Sequence, residues 1–239
     1  MPLKYRNRDV SIIAHRGGGK LFTENTLSAF KGVQGLGVDA VECDVQVTRD
    51  GKLAVIHDDD LNRLAGIHAK INDLTGEEIK KIRLLNNESI PLLTDVFEQV
   101  SIPLVIELKS MATVTSLSSL FMERKELQER CVIISFFHEA LYMMKQQFPK
   151  LKCGSLLAGF PIDPVSMVRK CGCDTIALYF EGISAEYVER CHKGGINVSV
   201  WSPNEKDHIL DSLNAGVDAI GSDRPDLVIS AIRDFGNTN

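Results

Sequence analysis

Short apolar runs alternate with longer amphipathic segments along almost the whole chain. The runs that read as strands are 10–14 (VSIIA), 40–45 (AVECDV), 104–108 (LVIEL), 132–135 (VIIS), 153–158 (CGSLLA), 175–179 (TIALY), 196–201 (INVSVW) and 219–223 (AIGSD). Between them lie helical segments with polar starts, at 23–34, 138–148, 184–193, 203–216 and 225–235. Gly37, Gly194, Gly195 and Gly216 stand where a helix must close before the next strand. Strands of this length alternating with helices pair in parallel through right-handed crossovers. Eight of them predict a TIM (β/α)8 barrel, not an open doubly wound sheet.

A ninth run, LAVIH at 53–57, breaks the alternation because no helix precedes it. It follows the second strand across Arg49-Asp50-Gly51-Lys52, and Asp-Gly is a two-residue hairpin signal. Such a turn makes 53–57 an antiparallel return strand, with Val47 opposite Ala54 and Asp44 opposite His57. The segment 58–100 then reads as an insertion with a short helix (TGEEIKKI) and the crossover helix TDVFEQV. No composition shift or linker marks a second unit. Residues 1–239 therefore read as a single barrel domain, with the hairpin and insertion over 46–100.

Charge is scarce in the apolar runs except at their carboxyl ends. The first ends in His15-Arg16, the second in Glu42-x-Asp44, the third in Glu107-x-Lys109. In a parallel barrel those ends converge on one face, where active sites are assembled. The i, i+2 spacing puts both members of each pair on the same side, with Cys43 and Leu108 turned toward the helices. Carboxylates gathered in a partly buried mouth repel one another and raise each other's proton affinity, a penalty that a cation removes. All-oxygen ligation favours one hard ion, Mg²⁺ or Ca²⁺. Arg16 offers a planar fork for phosphate, Lys109 a point charge, and His15 and His57 a base and an acid. The set reads as metal-assisted phosphoryl-ester chemistry.

Composition narrows the partners. Twenty-seven Lys and Arg against 32 Asp and Glu leave a net charge of −5 over 239 residues, which argues against a nucleic-acid binder. An anionic substrate must be met by local positive charge. Six cysteines without a C-x-x-C pair read as reduced, buried thiols, not a zinc site or a disulfide framework. Neither a secretory leader nor a run approaching the roughly 18 apolar residues of a membrane helix is visible, so a cytoplasmic protein is expected. Oligomeric state is not encoded.

The segments HRGGGKLFTENTLSAF (15–30), VECDVQVTRDGKLAVIHDDDLNR (41–63), VIELK (105–109), VWSPN (200–204) and GVDAIGSDRPDL (216–227) together resemble the glycerophosphodiester phosphodiesterase family, in order and over nearly the whole chain. The resemblance implies a metal-dependent TIM barrel that hydrolyses glycerophosphodiesters to glycerol 3-phosphate and an alcohol. It implies Glu42, Asp44 and Glu107 as metal ligands, His15 and His57 as the catalytic pair, and Arg16 and Lys109 as phosphate-binding residues. Where the family usually reads W-T-V-N, Trp201 is followed by Ser202, Pro203 and Asn204. Lys20, after the glycine run 17–19, is a second departure.

Several residues have plainer readings. Glu24, Asn25 and Thr26 start a helix, so capping suffices for them, with a supporting role open to Glu24. Asp58, Asp59 and Asp60 read as a solvated turn, with Asp58 an alternative brace for a neighbour. Trp201 reads as core filling or as a wall of the glycerol pocket, the latter preferred. His68, His138, His192 and His208 carry no assigned role. The Gly17–Lys20 run lacks the P-loop spacing, and no G-x-S-x-G elbow exists. A barrel lyase acting on lysophospholipids would need a greasy approach, whereas the insertion is polar. A non-catalytic barrel should have lost a histidine or a metal carboxylate, and none is missing.

Overall fold

The computed structural model describes residues 2–236. Its strands are β1 (Leu3–Tyr5), β2 (Arg8–Ala14), β3 (Ala40–Val47), β4 (Leu53–Val55), β5 (Leu104–Leu108), β6 (Cys131–Ser135), β7 (Lys152–Leu157), β8 (Thr175–Tyr179), β9 (Asn197–Trp201) and β10 (Ala219–Ser222). Its helices are α1 (Leu27–Gln34), α2 (Asn62–Ala65), α3 (Gly76–Lys81), α4 (Leu93–Gln99), α5 (Ala112–Glu123), α6 (His138–Gln147), α7 (Pro164–Lys170), α8 (Ala185–Lys193), α9 (Lys206–Ala215) and α10 (Pro225–Phe235). Strands β2, β3 and β5 to β10 pair in parallel, and a β2–β3 pairing closes the ring. The expected eight-stranded barrel is the fold.

Local chemistry starts and stops the elements. Ser184 caps α8 by accepting from the Tyr187 amide, Pro225 opens α10, and Gly216 closes α9 at φ +98°. Outward-facing strand residues such as Ile12, Cys43, Ile106, Ile133 and Val198 are fully buried beneath the helices and form the main core. Three elements had no counterpart in the sequence reading. These are α5, α7, and β1, which pairs antiparallel with β2 and buries Tyr5.

The hairpin differs from its expected register by one residue. The Thr48 amide donates to the Lys52 carbonyl at 2.9 Å, so the loop is Arg49-Asp50-Gly51, a three-residue turn with Gly51 at φ +76°. Val45 pairs with Val55 and Val47 with Leu53, and the Ile56 amide donates to the Asp44 carbonyl. Asp44 therefore faces Ile56, not His57, and β4 ends at Val55. Within a strand such a slip would turn a side chain to the wrong face. His57 escapes that because it lies past the ladder, where its carbonyl accepts from Gln46 Nε2 at 3.0 Å.

Beyond β4 the insertion builds a smaller cluster of its own around Ile56, Leu61, Ile71, Ile79 and Ile90. Thr75 and Glu78 form a capping box on α3. Asp50 ties the hairpin tip to α3, accepting from Thr48 Oγ1 and the Gly76 amide.

Candidate active site

The carboxyl ends of β2, β3 and β5 converge on one mouth. Asp44 on β3 pairs directly with Glu107 on β5, and Glu42 sits two residues earlier on the same face. Oxygens of Glu42, Asp44 and Glu107 all lie within 4.8 Å of one another, and all three residues are buried. Glu42 Oε1 and Asp44 Oδ1 have no hydrogen-bond partner, an unusual deficit for buried carboxylates. Burial and the Asp44 charge push the Glu42 carboxyl up to about 8, and the same two causes raise Glu107. Asp44 departs from the expectation of mutual elevation. Burial works to raise it, but the Lys109 and Arg16 charges outweigh that and hold it below its ordinary value. Lys109 Nζ is 3.4 Å from Asp44 Oδ1 and 2.9 Å from Glu107 Oε1, and Arg16 Nε is 3.3 Å from Asp44 Oδ2. Three hard oxygen donors with two unpaired atoms and a retained proton fit a divalent cation such as Mg²⁺ or Ca²⁺.

His15 follows β2 directly and opens a single 3-10 turn, His15–Gly17. The turn binds the backbone to the acidic cluster, since the Arg16 amide donates to Glu42 Oε2 at 2.8 Å. Gly17 sits at φ +77°, where an added Cβ would meet the Phe30 ring at 2.8 Å. No side chain fits there. His15 Nδ1 lies 2.7 Å from Asp223 Oδ1 and Nε2 4.0 Å from Glu42 Oε2. Burial disfavours the imidazolium, but the Asp223 hydrogen bond and the Glu42 charge outweigh it, and the pKa is raised. Asp223 is itself gripped by Asn204, which donates from Nδ2 and accepts the Asp223 amide, both at 2.8 Å.

His57 has a matching brace. Its Nδ1 lies 2.8 Å from Asp58 Oδ1, and Arg63 Nε donates to Asp58 Oδ2 at 2.6 Å. Arg63 also donates to both oxygens of Glu24, which in turn accepts from Arg16 Nη1 at 3.3 Å. His15, Arg16, Glu42, His57, Glu107 and Lys109 border one cavity of about 800 Å³. Trp201 borders it too, donating from Nε1 to the Ala177 carbonyl and meeting Phe136 and Tyr179 edge to face at 5.6 and 5.3 Å.

The sequence reading passed over part of this arrangement. Capping accounts for Thr26, whose hydroxyl accepts from the Ala29 amide, but not for Asn25. Asn25 is buried at φ +58° and donates to Asp44 Oδ2 at 2.8 Å while its own Oδ1 accepts the Asp44 amide. Asp58 braces His57 instead of merely facing solvent, and Glu24 joins two arginines. Asp223 was missed, although it follows the last strand at the same level as the other functional groups. His192 pairs with Asp218 at 2.8 Å, away from the mouth.

Comparison with known proteins places these observations. The model of the glycerophosphoryl diester phosphodiesterase family matches residues 15–227. A glycerophosphodiester phosphodiesterase of Caldanaerobacter subterraneus is 35% identical, the match covering 94% of this chain and 98% of that one. Among solved structures, an Oleispira antarctica phosphodiesterase in complex with the product sn-glycerol-3-phosphate superposes with a TM-score of 0.86 at 25% identity, covering 93% of this chain and 96% of that one. The glycerophosphodiester phosphodiesterase of Thermotoga maritima does so with a TM-score of 0.80 at 28% identity, covering 93% and 98%.

Proposed function

The chain belongs to the glycerophosphoryl diester phosphodiesterase family, and from that membership we propose that its mouth cleaves deacylated phospholipids to sn-glycerol 3-phosphate and an alcohol by paired histidine catalysis. The observation that carries the reading is three carboxylates within 4.8 Å of one another, beside two imidazoles each held by an aspartate. Glu42, Asp44 and Glu107 would hold one divalent cation, Mg²⁺ or Ca²⁺, which when bound supplies Lewis-acid polarisation of the phosphoryl oxygens. Arg16 and Lys109 bring positive charge to the same rim to receive the phosphate, and Trp201 walls the glycerol pocket.

Asp223 occupies His15 Nδ1, which leaves Nε2 free as a base. There it takes the proton of the glycerol 2-hydroxyl. The 2-oxygen attacks phosphorus, the bond to the alcohol oxygen breaks, and His57 gives that oxygen its proton. Water then opens the cyclic glycerol phosphate with the two roles exchanged, which returns both histidines to their starting states. The product in the Oleispira relative, sn-glycerol-3-phosphate, is the one this sequence of steps delivers. Six unpaired, buried cysteines support a cytoplasmic setting.

The test is a matrix of divalent metals against glycerophosphodiesters on chelator-stripped protein, with glycerol 3-phosphate as readout. Turnover restored by one class of ion is expected. Absence of glycerol 3-phosphate with every metal would overturn the reading.

A further inference from the structure

An eight-stranded barrel has an interior that side chains just fill, usually with layers of bulky branched residues. This one is underfilled. Adjacent strands set Ala177, Ser199, Ala219 and Ser11 side by side on the inner wall. Inward-facing Ser11, Ile13, Val132, Ile134 and Ser199 are part-exposed, whereas their outward neighbours Ile12, Ile133 and Val198 are fully buried. The space lies inside the ring, not under the helices. The cavity that holds the catalytic groups accordingly continues down the barrel, past Ile134 and Ala177, to Asp9 and Asp39 at the opposite end.

The two walls of this shaft differ. The polar groups of the mouth project from the ends of β2, β3 and β5, while β6, β7, β8 and β10 offer Val132, Ile134, Leu156, Ala177 and Ala219. Left empty, an apolar void of about 800 Å³ would cost more than a domain's entire stability. Water is a poor filler, because that wall gives it few partners. The mouth is apolar as well: Leu21, Phe22, Met111, Phe136, Phe137 and Ile162, on loops after β2, β5, β6 and β7, are between 37% and 92% exposed. The greasy approach that the polar insertion lacks is present, on the rim and within the barrel.

We propose that the shaft holds an aliphatic chain carried by the substrate, so that glycerophosphodiesters bearing one acyl or alkyl chain are bound and cleaved beside chain-free ones. The wall from Ser11 to His15 rises about 13 Å at the usual strand advance, which suits a chain of medium length. The bond broken is the same phosphorus–oxygen bond, so turnover of these substrates rests on the phosphodiesterase reading. Binding does not.

Binding is therefore the decisive experiment. Titration of wild-type protein with alkylphosphocholines from ethyl to dodecyl, kept below micelle formation, should show affinity rising about fourfold per methylene until the shaft is full. Ala219→Leu and Ser199→Leu fill it from two different strands, so one misfolded variant leaves the other to report. Each should flatten the chain-length series and weaken the decyl ligand about tenfold or more, while turnover of glycerophosphocholine stays within about twofold. Hydrolysis of a decanoyl glycerophosphocholine and of a glycerophosphodecanol tells whether the chain enters from the glycerol or from the leaving alcohol; cleavage of either supports the proposal. Affinity independent of chain length, or a series unchanged by both substitutions, overturns it. Missing turnover of glycerophosphocholine in the wild type strikes the phosphodiesterase reading instead, and the binding series still judges the shaft.

Discussion

At the scale of single residues, the site depends on which nitrogen of each imidazole is free. Asp223 holds Nδ1 of His15 and is locked by two hydrogen bonds to Asn204, so the carboxylate cannot turn away. Asp223→Asn keeps the shape and replaces the acceptor with an amide that can present a donor. By analogy with other oriented histidine bases, kcat should fall by about 10² to 10⁴ with thermal stability near wild type, and the nitrogen chemical shifts of His15 should report the changed tautomer. Wild-type kcat in this variant would show that Asp223 orients nothing. His15→Ala and His57→Ala should each abolish turnover while the melting temperature stays near wild type; retained activity in either would break the assignment. These groups were legible because a charge at the carboxyl end of an apolar strand is costly and conspicuous. Asp223 occupies the same kind of position, yet an aspartate before Arg-Pro also reads as an ordinary helix-leading turn. Asn25 was hidden by its neighbour: a genuine cap at Thr26 is explanation enough for the whole tripeptide until the contact to Asp44 is seen.

At the scale of elements, the hairpin shows how far local pattern reaches. Asp-Gly correctly marks a turn, but Gly51 is the third loop residue at φ +76°, not the second of two. A side chain in that conformation costs about 1–2 kcal/mol. Gly51→Val should lower stability by that amount in denaturant unfolding, and an unchanged midpoint would contradict the turn described. The helices missed from sequence share a cause. The α5 segment ATVTSLSSLFME is rich in Thr, Ser and Val, weak helix formers that only packing holds, and α7 spans seven residues. The insertion has a second role beyond its own small core. Arg63 joins Asp58, the brace of His57, to Glu24, the partner of Arg16. Arg63→Ala should reduce kcat/KM about tenfold while the melting temperature moves by no more than about 2 °C, because a half-exposed ion pair adds little stability. A large loss of stability with unchanged kinetics would make Arg63 merely a strut.

At the scale of the whole molecule, a chain of net charge −5 concentrates three buried carboxylates at one mouth, and the fold must carry that cost when no cation is bound. The folded protein keeps the Glu42 proton until about pH 8, whereas the unfolded chain releases it near the ordinary value of 4.5. Stability from this group is thus fully present below the lower value and lost as pH rises through the upper one. Asp44 and Asp223, both depressed, act in the opposite sense: their stability is present above the ordinary carboxylate range and lost as pH falls through their lowered values. Chelator-stripped protein should therefore melt highest in mildly acid solution and progressively lower toward pH 8. A divalent ion takes the place of the proton, so its binding releases one and tightens as pH rises. Thermal scans with and without Mg²⁺ or Ca²⁺ should show a gain of about 5 °C or more at pH 8 and a clearly smaller one at pH 6. Glu42→Gln, which removes the titrating proton and one ligand charge, should erase both the decline with pH and most of the gain from the ion. Equal gains at both pH values, or a flat melting temperature in the stripped protein, would mean that the three carboxylates are not the place where the ion and the proton compete.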